Sequence, residues 1–310
     1  MNIKKIVIAG AGIMGSSIAQ IFAQNGYTVV LYDIGEQSLE RSRNMVRLNQ
    51  QTSVAEGSIS QQKSDEIHAL ISYTIDKQCF ADADFVIEAI VEKMEVKHTF
   101  WSEISAIAPA DAILTSNTSG LSLTEIALAV KDPSRFCGMH WVNPPHIVPL
   151  VEVIRGELTD EATAKLVYDF AVKIGKKPIM VQKDAHGFVL NRIQFAVLRE
   201  AMHIVESGIA SVEDVDNVLK YGLGMRYAAI GPFETADLGG LDTFYNIASY
   251  LFADLSDAKE VSPLLGNLVK EGAFGVKSKK GFYDYSDGKD EEAIRRRDAN
   301  FIKLAKCLYQ

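Results

Sequence analysis

A histidine, a carboxamide and a carboxylate lie close together in the middle of the chain, where His140-Trp141-Val142-Asn143-Pro144 is followed by Leu150-Val151-Glu152-Val153. If the chain turns back after the prolines, Glu152 comes within reach of the imidazole. Histidine is the side chain best suited to moving protons near neutral pH. A carboxylate on one ring nitrogen fixes the tautomer and raises the basicity of the other, so the pairing predicts general acid/base chemistry. A histidine beside a tryptophan is also the ordinary form of a hydrogen-bonded core residue, and the pattern alone leaves both readings open. Glu152 in an apolar strand is harder to dismiss, because a buried carboxylate without a partner is costly.

The N-terminus supplies a second constellation. Lys4 to Ala9 reads as a buried parallel strand that runs into Gly10-Ala11-Gly12-Ile13-Met14-Gly15. In such a GxGxxG loop Gly10 allows the tight turn, Gly12 lets the backbone approach a pyrophosphate and Gly15 lets helix and strand pack closely. The N–H groups of Ile13 and Met14 then face the anion, at the positive end of a helix that stops at Gly26. A second strand, Tyr27 to Tyr32, ends in Asp33, about twenty residues beyond the glycines, where a carboxylate accepts both ribose hydroxyls and repels a 2′-phosphate. Ile34 and Gly35 bring no cation to reverse that preference, so the cofactor expected is NAD rather than NADP. The plain alternative is a strand, turn and helix with a surface aspartate.

These residues need a scaffold. Asp84 to Ile90, Ala112 to Ser116, Phe136 to Trp141 and Lys177 to Gln182 read as strands separated by helical stretches, which implies crossover helices and a parallel sheet. After Gly187 the period becomes helical: Val189, Ile193, Ala196, Val197, Ala201, Ile204 and Val205 form one apolar face, and Ser211 with Asp214 forms a capping box. The fold class expected is α/β, a Rossmann-type, mostly parallel sheet over residues 1–184 followed by an all-helical C-terminal domain over 185–310. The latter's apolar helices suit a core or a homodimer interface. The stretch from Gln50 to Gln62 is polar and reads as mobile.

With 310 residues and 47% hydrophobic content the chain can fill two cores. Its net charge of −8 argues against a phosphate-tracking nucleic-acid binder; Arg295-Arg296-Arg297 and Lys279-Lys280 read as solvated faces. Cys79, Cys137 and Cys307 lie far apart without metal-ligand spacing, so no metal is expected and a reduced cytoplasm fits. No stretch reads as a cleavable leader or reaches membrane-spanning length.

Taken in order, Gly10 to Gly15, Ile87-Glu88-Ala89-Ile90-Val91-Glu92, Ser116-Asn117-Thr118-Ser119, His140 to Glu152, Gly187-Phe188-Val189-Leu190-Asn191-Arg192, Gly231-Pro232-Phe233-Glu234 and Gly281-Phe282-Tyr283 resemble the L-3-hydroxyacyl-CoA dehydrogenases over nearly the whole chain. The resemblance implies a Rossmann domain with a helical dimerisation domain, NAD as cofactor and a place in fatty acid metabolism. It implies His140 as the general base that removes the proton of a 3-hydroxyl and Glu152 as the group that orients it. It further implies that Ser119 and Asn191 hydrogen-bond the substrate oxygens, and that Glu92, Lys97, Asn143 and Lys277 lie near the nicotinamide end of the cofactor. On residue type alone Ser119 and Asn191 would be turn or cap residues, and Glu92, Lys97 and Lys277 surface charges.

Some positions depart from the family's pattern. Where acyl-CoA members place a serine and lysines against the CoA, this chain has Asn49 and Glu56, and Glu56 opposes a phosphate-bearing ligand. Lys63 and the arginines at 41, 43 and 47 can compensate or simply face water. His140 to His146, with Gly222-Leu223-Gly224-Met225-Arg226-Tyr227, is more similar to the offshoot containing lambda-crystallin (an L-gulonate 3-dehydrogenase), carnitine dehydrogenase and a dehydrogenase of pyridoxine breakdown. There Arg226 would pair a substrate carboxylate bidentately; a loop arginine tying the two domains together is the alternative. His186 stands where proline is usual. Three hypotheses therefore remain: a dehydrogenase of short-chain 3-hydroxyacyl-CoA such as 3-hydroxybutyryl-CoA, a dehydrogenase of a free polar 3-hydroxy acid, and a non-catalytic NAD-binding protein, which loss of His140 or Glu152 would have marked.

Overall fold

The computed structural model describes residues 3–55, 57 and 59–309. The chain folds into two compact units, Met1–Arg192 and Ile193–Gln310. The first begins with β1 (Lys5–Ala9), α1 (Ile13–Gln24), β2 (Thr28–Tyr32), α2 (Glu36–Ala55), α3 (Gln61–Leu70) and β3 (Ile71–Thr74). It continues with β4 (Phe85–Glu88), α4 (Met94–Ile107), β5 (Ile113–Ser116), α5 (Leu123–Ala127), β6 (Phe136–Trp141), β7 (Leu150–Ile154), α6 (Glu161–Lys173) and β8 (Lys177–Val181). The chain then enters α7 (Leu190–Glu206), which runs on into the second unit.

The eight strands form one sheet in the order β3-β2-β1-β4-β5-β6-β7-β8. Every neighbouring pair is parallel except β6 with β7. The strands are runs of β-branched and aromatic residues buried on both faces, as a sheet covered by helices requires. On one face Ile8, Phe22, Val29, Phe85, Trp141 and Phe170 pack together, and on the other Val7, Phe80, Val86, Trp101, Leu114 and Phe136 do. Order reverses between β1 and β4, the position at which doubly wound sheets bind ligands beyond the carboxyl ends of their strands.

Two stretches differ from the sequence-based expectation. Residues 50–55, expected to be mobile, complete α2, and α3 opens at Gln61 with Ser60 as its N-cap, its hydroxyl accepting from Lys63 N at 3.1 Å. Polar residues hide this junction from a hydrophobicity reading: Ser42, Gln50 and Ser64 are buried on the two helices, and Ser16 of α1 meets Ser42 at 2.7 Å. Glu56 lies outside the described residues.

The second unit comprises most of α7 with α8 (Val212–Val218), α9 (Gly224–Ala229), α10 (Pro232–Gly239), α11 (Leu241–Leu251), α12 (Pro263–Lys270) and α13 (Lys289–Tyr309). Ser211 caps α8 by accepting from Asp214 N at 3.1 Å, but the box does not close reciprocally: the Asp214 carboxylate instead accepts the serine hydroxyl at 2.6 Å. Among the described residues of this unit Ala273 is the one buried apolar side chain, while Ile193, Phe195, Phe233, Phe244 and Ile247 are exposed. No described helix is long and apolar enough to cross a membrane.

Candidate active site

β6 and β7 pair antiparallel with His140 directly opposite Glu152. The turn through Pro144 and Pro145 thus sets the two side chains on one face of the sheet, and His140 Nδ1 stands 2.7 Å from Glu152 Oε2. The other carboxylate oxygen accepts from the N–H groups of Val189 (3.0 Å) and Leu190 (2.9 Å) at the start of α7, where the helix end favours negative charge. Burial pushes the Glu152 carboxyl up, but the His140 bond and the two backbone donors outweigh it and hold the group below the ordinary carboxylate range. An ionised Glu152 can only accept, so Nδ1 is the donor, and in the neutral ring the lone pair is on Nε2. His140 is 5% exposed and Glu152 fully enclosed, with the ring of Phe188 5.8 Å from the imidazole.

The glycine loop leaves the same edge of the sheet, at the end of β1. A Cβ on Gly10, which has φ +105°, would lie 2.4 Å from the Ala89 carbonyl oxygen, and one on Gly15 would lie 1.8 Å from that of Gly10. A Cβ on Gly12 would meet nothing within 4 Å. The turn and the helix–strand contact are therefore closed to side chains while the space over Gly12 stays open. No side chain caps α1, so its first N–H groups, at Ile13 and Met14, remain suited to an anion. Asp33 is held by Ala11 N at 2.8 Å and Gly35 N at 3.0 Å, one bond to each oxygen, which leaves lone pairs on both for a diol.

A cavity of about 1000 Å³ lies along this loop, lined by Gly12, Ile13, Asp33, Ile34, Ile90 and Val91 among others. It fits a dinucleotide at the open glycine and the presented carboxylate. Two cations that the sequence reading did not place here, Arg41 and Lys77, also line it. Arg41 donates to Ser38 Oγ (3.0 Å), and Lys77 is tied to Glu103 (2.6 Å).

Beyond β4 a polar network carries Ser119. Lys97, which residue type alone would leave on the surface, is 1% exposed; its ammonium stands 2.5 Å from Glu88 and 3.1 Å from Glu92. Glu88, fully buried, also accepts from Ser116 Oγ at 2.6 Å and Ile90 N at 3.1 Å. Glu92 accepts from Thr118 Oγ1 (2.6 Å) and Ser119 N (2.7 Å). Burial raises the Glu92 carboxyl, but Thr118, Lys97 and Ser119 more than offset it and the group titrates below its ordinary range. The carbonyl of Ser119 accepts from Asn191 Nδ2 at 2.8 Å. Ser119 and Asn191 are thus adjacent, and Asn117 ties β5 to β6 through Trp141 N at 2.8 Å. Sequence reasoning missed Glu88 and Asn117 as network members; the signal was an acid inside the apolar run Phe85-Val86-Ile87-Glu88-Ala89, which needs a buried partner.

Asn143 is exposed at the start of the β6–β7 connection. Arg226 and Lys277 belong to the second unit. Arg226 is exposed on α9, not in a loop, directly after a π-helical turn at Leu219–Leu223, a distortion frequent at functional sites. Lys277 lines a cavity of about 730 Å³ among Leu198, Val205, Leu268, Phe282 and Tyr283. His186 Nδ1 stands 3.4 Å from Gly120 O.

A doubly wound sheet with this glycine turn and acid, and a histidine–glutamate pair on the same edge, defines an NAD-dependent oxidoreductase acting on a CH–OH group. Residues 5–185 match the model of the 3-hydroxyacyl-CoA dehydrogenase NAD binding domain, and residues 187–285 that of the 3-hydroxyacyl-CoA dehydrogenase C-terminal domain. The chain belongs to the 3-hydroxyacyl-CoA dehydrogenase family. It is 40% identical to a probable 3-hydroxybutyryl-CoA dehydrogenase of Bacillus subtilis, over 93% of this chain and 99% of the relative. It is 34% identical to the 5-formyl-3-hydroxy-2-methylpyridine 4-carboxylate 5-dehydrogenase of Mesorhizobium japonicum, over 99% and 98%. The crystal structure of a dehydrogenase of that activity, described as an NAD+-dependent dismutase, matches with TM-score 0.92 at 34% identity and 99% coverage of each chain. That of (S)-3-hydroxybutyryl-CoA dehydrogenase from Ralstonia eutropha matches with TM-score 0.77 at 33% identity, over 92% of this chain and all of the other.

Proposed function

We propose that the protein interconverts an L-3-hydroxyacyl and a 3-ketoacyl compound, nominally a short-chain 3-hydroxyacyl-CoA such as 3-hydroxybutyryl-CoA. The observation that carries this reading is the buried His140–Glu152 pair on the sheet edge that also bears the glycine turn. His140 Nε2 takes the proton of the 3-hydroxyl, while Glu152 holds the ring in the Nδ1–H tautomer and stabilises the imidazolium that forms. When bound, NAD supplies the hydride acceptor. The Ser119 hydroxyl and the Asn191 amide fix the substrate oxygens, with Ser119 held in place by Glu92. Gly10, Gly12, Ile13, Met14, Gly15 and Asp33 hold the pyrophosphate and ribose, and Glu92 and Asn143 serve the nicotinamide end, with the buried Lys97 acting through Glu92. In this scheme residues 1–184 bind NAD, and 185–310 take the substrate and a second copy of the chain. The exposed apolar helices of the second unit support a homodimer. Three free cysteines are in keeping with a reducing, cytoplasmic setting.

A second reading, a free polar hydroxy or carbonyl acid as substrate, is supported by the full-length match to the pyridine-carboxylate enzyme and by Arg226, whose guanidinium has no ion pair among the described residues. The deciding assay follows NADH oxidation with acetoacetyl-CoA and with free 3-keto acids in parallel, NADPH serving as control. A kcat/KM at least about a hundredfold higher for the thioester is expected; the reverse order, with Arg226→Ala removing the free-acid activity, would establish the second reading, and no turnover with either class would sink both.

A further inference from the structure

The connection between β6 and β7, residues 142–149, opens with Val142-Asn143 and contains three prolines, which bring no N–H of their own. Its backbone bonds are few: Ile147 N and Val148 N both donate to the Pro144 carbonyl (3.0 and 2.9 Å), and Lys177 N donates to that of Pro149 (2.9 Å). Other carbonyls of so donor-poor a segment must be satisfied from outside. One side chain does this. Lys176, between α6 and β8, donates from Nζ to Pro145 O at 2.5 Å and to Val148 O at 3.0 Å, and its ammonium lies 5.5 Å from the centre of the Trp141 ring. The residue is 8% exposed. A lysine at a helix end ordinarily extends into water; this one is turned inward onto backbone oxygens, at the cost of desolvation.

We propose that Lys176 is a positioning residue whose buried ammonium clips the 142–149 connection and so sets Asn143 against the dinucleotide. The proposal rests on the assignment of Asn143 to the nicotinamide end.

Burial alone, with no carboxylate contributing, brings the Lys176 ammonium down to about 8. The titratable groups around it leave that origin intact. Lys173 and Lys177 on its own turn are exposed, with Lys173 over the Tyr27 ring at 5.5 Å. His146 on the connection is exposed and has its own interactions. As pH rises through about 8 the ammonium becomes an amine, its bonds to the two carbonyls lose their charge assistance, and the connection loosens.

The test combines NADH fluorescence titrations from pH 6.5 to 9.5 with amide exchange of residues 141–150, on wild type, Lys176→Met, Asn143→Ala and the double variant. Wild-type affinity is expected to fall about tenfold as pH rises through about 8. Lys176→Met should show the weak affinity at every pH and faster exchange at Ile147 and Val148. The double variant should be no weaker than Asn143→Ala, since both act through one element. If Asn143→Ala binds NADH as wild type does while Lys176→Met only speeds exchange, the assignment of Asn143 fails and takes the proposal with it. If Asn143→Ala weakens binding but Lys176→Met changes neither affinity nor exchange, the clip alone is refuted. The wild-type exchange needs no variant to fold: Ile147 and Val148 amides that exchange as fast as an unprotected loop overturn the proposal by themselves.

Discussion

At the scale of single residues the site turns on the three bonds that Glu152 accepts. With one oxygen on His140 and the other on two amides, this carboxylate orients the imidazole and also fastens the start of α7 to β7. His140→Gln removes the proton acceptor while leaving the glycine loop untouched, so kcat should fall about a thousandfold with NADH affinity unchanged. Retained turnover in that variant would remove the base assignment. Glu152→Gln should lose about 2 kcal/mol of stability, since an amide cannot accept from all three donors. The pH sign follows from the lowered carboxyl: the folded-state advantage of Glu152 is present above the ordinary value of 4.5 and is lost as pH falls through the lower folded value. Thermal melts should therefore show the gap between wild type and Glu152→Gln closing as pH drops from 6 towards 3.5, and a gap that stays constant contradicts the linkage. The pair was legible in sequence because one tight connection of known length sets the register of two adjacent strands. Lys176 and Lys97 were not, because nothing local distinguishes a lysine turned inward from one on the surface.

At the scale of elements, the β1 turn and α1 were readable because each glycine answers a local demand. The structure separates those demands, and two substitutions exploit the difference. A methyl on Gly15 strikes the Gly10 carbonyl oxygen at 1.8 Å, a backbone atom that cannot step aside without moving α1 off the sheet, whereas a methyl on Gly12 enters open space. Gly15→Ala should therefore lower stability by about 1–3 kcal/mol and weaken NADH binding together. Gly12→Ala should leave the melting temperature unchanged and still weaken NADH binding, since the methyl stands where the backbone must approach the pyrophosphate. Equal melting losses in the two variants would contradict the distinction. The junction of α2 and α3 was misread for the opposite reason: Gln50 and Ser64 are the buried residues nearest to it on either side, so apolar periodicity is weak there.

At the scale of the whole molecule the two units face different physical problems. The sheet unit encloses its strands on both faces and could be read from alternating strand and helix patterns. The helical unit was recognisable from the period of α7, but the place to which its apolar faces turn is not encoded in that period. Ile193 is 58% exposed, Phe195 59% and Phe233 87%, far more apolar surface than an isolated helical body leaves uncovered. A second copy of the chain is the cover we propose, and mass action then ties stability to concentration: a dimer that must dissociate in order to unfold melts at higher temperature when more concentrated. Sedimentation at micromolar concentration should give twice the 34.1 kDa chain mass. The melting temperature should rise by several degrees over a hundredfold increase in protein. Ile193→Asp with Val197→Asp, placed on the exposed apolar stripe of α7, should shift the sedimenting species to monomer and abolish the concentration dependence. A wild-type chain that sediments alone and melts at one temperature across that range leaves the helical unit to be covered in some other way and removes the dimer from the proposal.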